Sequence, residues 1–177
     1  PVTLEAMRRI AYHRHQKSQF ADAEQLYNLV LQGYENIGSC SPEALAVSVS
    51  LAEISRDQFK VYQAEKEGEK AVSFGNRQLG RDHPEVRVAK LSLAETKEKL
   101  GKLSEAGVLY DEVLESESKF AGPESLERLN VMYYQGKLLN FQGKFDEAEL
   151  ILETALQGEE KLLGENDPTV LNTMYVL

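Results

Sequence analysis

The chain holds three histidines and one cysteine, and their spacing decides what chemistry is open to it. His13 and His15 stand two residues apart, which on a helix sends them to different faces, so they cannot chelate one metal from one turn. His83 directly precedes Pro84, a position that reads as a helix start rather than a catalytic base. Cys40 lies just before Pro42 with no histidine near it in sequence, which argues for a surface thiol over a nucleophile. Gly136-Lys137 and Gly143-Lys144 do not form a phosphate loop. Six residues separate the glycines where that motif needs four, Leu138 and Phe145 replace Ser or Thr, and no strand precedes. Adjacent acids such as Glu159 and Glu160 point apart on a helix. No acid, base and nucleophile assemble, so the sequence predicts no enzyme, no metal site and no cofactor.

Composition narrows the partners. The net charge is −9, against the clustered Lys and Arg that binding to phosphate backbones requires, so nucleic acid is not an expected partner. The charge is lopsided: residues 1–84 carry 10 basic and 11 acidic side chains, the remainder 10 and 18. Acid-rich stretches such as Glu153 to Glu165 read as the solvated face of a helix. No apolar run approaches the roughly 18 residues that cross a bilayer, and the amino terminus has no basic-then-apolar signal pattern, so membrane insertion and secretion are unsupported. A single cysteine cannot form an internal disulfide, which fits a reducing, cytoplasmic setting. With 42% hydrophobic and 28% charged residues the chain has enough apolar material for a core.

The elements are punctuated by proline. All five prolines recur at near-regular intervals, Pro1, Pro42, Pro84, Pro123 and Pro168, separated by 41, 42, 39 and 45 residues. Each leads into an apolar pattern of helical period, as in Pro42-Glu-Ala-Leu and Pro168-Thr-Val-Leu. Proline loses nothing at the first helical position, where the N–H has no intrahelical acceptor and the fixed φ is already helical. Ser41 and Asp167 are placed to cap, Asp82 sits two before Pro84, and Gly122 is a weaker cap before Pro123. Midway between prolines a second marker repeats, with Ala23, Ala64, Ala106 and Ala148 spaced 41, 42 and 42 residues apart. Small residues belong where helices cross closely, and Phe20, Tyr62, Leu103 and Phe145 ahead of them are expected to plug the neighbouring groove. Gly101 and Gly143 mark the turns. Further small residues, Ala11, Ala52, Ala94 and Gly136, seam the first helices.

The pattern therefore predicts helix pairs at about 2–17 and 20–37, 42–58 and 61–79, 84–100 and 103–120, and 123–141 and 145–163, with a ninth helix from Pro168. The expected repeats are 1–41, 42–83, 84–122 and 123–167, forming a single domain over 1–177, with 168–177 opening a further one. A two-helix unit cannot bury its apolar face alone, so units stack. The bounds coincide with repeat junctions, which leads us to expect a fragment of a longer array, with Val170, Leu171, Met174 and Val176 exposed and self-association through uncapped ends open.

The alternation in Gly143-Lys144-Phe145-Asp146-Glu147-Ala148-Glu149, followed by Ala155-Leu156, resembles the tetratricopeptide repeat, whose common unit is shorter. The helix endings Leu79-Gly80-Arg81-Asp82-His83-Pro84 and Leu163-Gly164-Glu165-Asn166-Asp167-Pro168 resemble the kinesin light chain subclass. The resemblance implies an all-α fold, a right-handed superhelical solenoid of antiparallel helix pairs. Its concave wall would be built from the first helices and would hold a peptide or partner segment. Arrays of this kind also form the sensor arms of NTPase switch proteins, so a structural or sensor arm is the rival reading.

Counting back from the turn alanines places the family's groove positions on one face per repeat. They are Glu5, Arg8, Tyr12 and His15, then Ala46, Val49, Glu53 and Arg56, then Val88, Leu91, Glu95 and Glu98, and last Asn130, Tyr133, Lys137 and Asn140. From these the resemblance implies partner contacts at Arg8, Tyr12, His15, Val49, Arg56, Asn130, Tyr133, Lys137 and Asn140. The fourth set is richest, with an amphipathic ring, two amides able to meet an extended backbone, and a cation for a carboxylate. Tyr134 stands at its edge. Kinesin light chains read aromatic-acidic peptides with groove Asn and basic residues. Here Glu53, Glu95 and Glu98 make the middle acidic, which leaves a mixed or partly basic peptide equally open. The family's carboxylate clamp is absent, because Arg8, Tyr12, Ser50, Val88 and Ser92 offer only one suitable residue.

Overall fold

The computed structural model describes residues 2–37, 41–120 and 125–177, and among these every regular element is a helix. In order they are α1 (Val2–Gln16), α2 (Phe20–Asn36), α3 (Pro42–Asp57), α4 (Val61–Gln78), α5 (Pro84–Lys99), α6 (Leu103–Phe120), α7 (Leu126–Phe141), α8 (Phe145–Leu163) and α9 (Pro168–Val176). The fold is an all-α solenoid of helix pairs. The chain packs as two compact units, 1–100 and 101–177.

Helix starts follow the proline reading with one shift. The Ser41 hydroxyl accepts from the Ala44 N–H at 3.4 Å, and Asp167 Oδ1 accepts from the Thr169 N–H at 2.8 Å. At α5 the cap is His83, whose Nδ1 accepts from the Glu85 N–H at 3.2 Å, which gives this histidine its helix-start role. Helix α7 starts at Leu126 rather than 123, because Ser125 is the cap and accepts from the Arg128 N–H at 3.2 Å. The expectations for Pro1, for Cys40 and for the Gly122-Pro123 step lie outside the described residues.

The turns after α1, α3, α5 and α7 are each three residues long with a left-handed middle residue: Ser18 (φ 58°), Phe59 (φ 62°), Gly101 (φ 73°) and Gly143 (φ 74°). In three of them the residue after the left-handed one donates back five positions, Gln19 to Arg14, Lys60 to Ser55 and Lys144 to Leu139, which satisfies a helix-terminal carbonyl. The turn alanines Ala23, Ala64, Ala106 and Ala148 are all fully buried. Two of the four plugs are corrected. Tyr62 is 79% exposed because it stands two residues before Ala64, across the helix from it, and Phe145, at the first position of α8, is 66% exposed. Val170 is also corrected, since it is fully buried while Leu171 and Met174 are exposed.

In unit 1 one core joins Ala11, Tyr27, Val30, Val47 and Ile54, and another joins Leu45, Val49, Ala71 and Val86. In unit 2 Leu129, Met132 and Ala155 form the corresponding centre of α7 and α8. Gly136 permits this approach, since a Cβ there would collide with the Leu152 and Ile151 side chains.

Candidate functional site

In unit 2 the α7 face is organised by stacked rings. Tyr110 on α6 is fully buried and lies nearly parallel to Tyr134, with centroids 6.1 Å apart and planes at 11°. Tyr134 meets Tyr133 edge-on at 5.3 Å and 70°, and the Lys137 ammonium stands 5.3 Å from the Tyr134 ring centre. Tyr133 and Lys137 are half-buried and Asn130 is exposed, so this stripe reaches solvent from an anchored aromatic base. Asn140 has a different duty, because its Nδ2 donates to the Val176 carbonyl at 3.1 Å and ties α7 to α9.

In unit 1 the first-helix side chains are laced together by charge. Arg8 makes two hydrogen bonds to Glu5, each 2.9 Å, and this guanidinium draws the Glu5 carboxyl below its ordinary range. His15 Nε2 lies 2.8 Å from Asp57 Oδ2 and its ring packs edge-on against Phe20 at 5.9 Å, joining α1 to α3. Arg56 Nη1 donates to the Ser92 carbonyl at 3.1 Å and meets Glu95 at 3.0 Å, joining α3 to α5. Burial pushes the Glu53 carboxyl up, opposed by the nearby Arg56 and His15. Tyr12 is 56% exposed and available. Val49 is corrected: it is buried among Leu45, Ala71 and Val86, so it offers no surface to a partner.

A sequence model of the tetratricopeptide repeat family matches residues 85–161. The tetratricopeptide match thus spans less than half of the chain. Solved structures match the chain in fold across nearly its whole length. BtubC (BKLC) from P. vanneervenii superposes with a TM-score of 0.85 at 24% identity, covering 98% of this chain and 77% of that one. A putative kinesin light chain with nearly identical TPR-like repeats from Podosopora anserina gives 0.81 at 23%, covering 99% and 83%. A Rap protein complexed with Competence and Sporulation Factor gives 0.77 at 14%, covering 96% and 50%. No curated protein matches the sequence.

The repeats place the expected positions unevenly. Asn130, Tyr133 and Lys137 share one accessible stripe, whereas His15, Arg56 and Asn140 are each engaged with the next first helix. Two contributors escaped the sequence reading. Asp57, partner of His15, falls one residue after Arg56 at the helix end, and Tyr110, which backs Tyr134, is on a second helix where no groove position is counted. The 42-residue offset between His15 and Asp57 equals the repeat length and was the available signal. Among the described residues no three His, Cys, Asp or Glu side chains converge as a metal site, and no helix is long and apolar enough to cross a membrane.

Proposed function

We propose that the protein is a non-enzymatic interaction module that binds a peptide or partner segment on the first-helix face of its repeats, with α7 as the anchor. The observation that carries this is the Tyr133–Tyr134–Lys137 cluster. Tyr134 is held between Tyr110 and the Lys137 ammonium, so Tyr133 is presented with little rotamer freedom left to lose on binding. An aromatic anchor beside a cation and an exposed amide at Asn130 suits an extended segment carrying a carboxylate and an apolar side chain. A neighbour by fold, the Rap protein, is known complexed with a factor, which supports capture of a partner by such an array. The laced charges of unit 1 hold that unit's first helices in register. A cytoplasmic adaptor is the setting this reading favours.

The test is a displayed library of natural disordered peptides screened on the wild type and on a Tyr133→Ala, Lys137→Glu double variant. A shared motif is expected to enrich on the wild type and to weaken roughly 30-fold or more on the variant. Equal enrichment on both would overturn the assignment of α7.

Self-association has one observation in its favour: on α9 Tyr175 is 92% exposed and Leu171 and Met174 are 52% exposed each. Light scattering across a concentration series tests it, a constant monomer mass excluding it.

A further inference from the structure

The side of α3 that faces away from the first-helix set carries a second groove. Ser48, Leu51 and Ser55 each stand two residues beyond Ala46, Val49 and Glu53, about 200° around the helix. Helices α2 and α4 both pack on α3 but scarcely on one another, and the space left between them is a groove of about 530 Å³. Its walls are stripes at helical spacing: Glu24, Asn28, Leu31 and Glu35 on α2, facing Glu67, Ala71 and Phe74 on α4. From Glu24 to Glu35 the α2 stripe spans eleven residue steps of about 1.5 Å, roughly 16 Å, the length of a three-turn helix.

The floor is apolar and partly open, with Leu31, Leu51 and Phe74 only half-buried. The rim is acidic. Glu24, Glu35 and Glu67 line it against a single Lys70. Glu67 is fixed as an acceptor, taking the Ser55 hydroxyl on Oε2 and the Gln63 amide on Oε1, both at 2.8 Å. An apolar floor between carboxylates selects for an apolar stripe flanked by cations.

We infer that the α2–α3–α4 groove is a second docking site, separate from the α7 face, and that it takes an amphipathic helix of about three turns with Lys or Arg beside its apolar stripe. Unit 2 supplies an internal contrast. The equivalent groove among α6, α7 and α8 has a mixed rim, where Lys144 pairs with Glu147 at 3.8 Å and Asp111 accepts from Gln135 at 2.6 Å. The basic helix is therefore drawn to unit 1.

The experiment is a titration of the isotope-labelled full chain with two synthetic 14-residue helical peptides. Both carry Leu at positions i, i+4, i+7 and i+11, one flanked by Lys and the other by Glu, and methyl resonances are followed. The Lys peptide is expected to shift Leu31 and Leu51, leaving Leu139 and Leu150 of the unit 2 groove in place. A Glu24→Lys, Glu35→Lys variant, checked for retained helicity, should bind the Lys peptide at least fivefold more weakly and the Glu peptide more tightly. A milder Glu35→Gln variant should weaken the Lys peptide without reversing the preference. Equal shifts by both peptides, shifts centred on Tyr133, or no shift at about millimolar peptide would each overturn the inference.

Discussion

Glu159 is 1% exposed at the α8–α9 junction, where the Thr173 hydroxyl donates to Oε2 at 2.7 Å and Oε1 has no partner. Burial pushes its carboxyl above the ordinary range. In the unfolded chain a glutamate loses its proton near ~4.3, so between that pH and its higher folded value the folded state holds more protons. Stability from this group is therefore full below the unfolded value and falls as pH rises through the window. Glu159→Gln should remove that slope and gain about 1 kcal/mol on the wild type by neutral pH, read by urea unfolding at pH 4.5 and 7. A constant gap between the two proteins at all pH values would contradict the assignment. Tyr133→Phe keeps the ring against Tyr134 and should retain most binding, whereas Tyr133→Ala should not.

At the scale of elements the turns carry the test. Phe59 is left-handed at φ 62° and 90% exposed, so Phe59→Gly relieves a Cβ clash and forfeits little burial. It should raise the urea midpoint by roughly 0.5–1 kcal/mol equivalent. Gly136→Ala should do the reverse, costing about 1–3 kcal/mol by forcing Leu152 and Ile151 aside. The helix pairs were legible because proline, cap and alanine recur together, and the observed bounds fall within a few residues of that pattern. Two turns carried their signal in glycine, at Gly101 and Gly143. The other two were located only by offset, since Ser18 and Phe59 do not announce a left-handed backbone. The α7 cap is Ser125, whose hydroxyl accepts from the Arg128 N–H, and the proline pattern did not single it out. Side-chain roles were less legible than elements. Periodicity puts Val49 on the same stripe as Glu53, yet the close approach of Ala71 and Val86 buries it, a tertiary effect no single-helix spacing encodes.

Across the whole molecule the two units divide the labour differently. Unit 1 spends its first-helix charges on repeat-to-repeat bonds, through His15–Asp57 and Arg56–Glu95, and leaves its open acidic groove among α2, α3 and α4. Unit 2 presents an aromatic stripe on α7, backed by Tyr110. The net charge of −9 adds a long-range preference for partners carrying some positive charge, which weakens as salt screens it. Site-specific photo-crosslinking reads whether a partner segment lies against Tyr133. A benzoylphenylalanine placed at position 133, and separately at the exposed Leu150 on α8, is irradiated with the library-selected peptide bound. A peptide adduct at 133 and none at 150 is predicted; an adduct at 150 alone, or at neither position while binding persists, would contradict it.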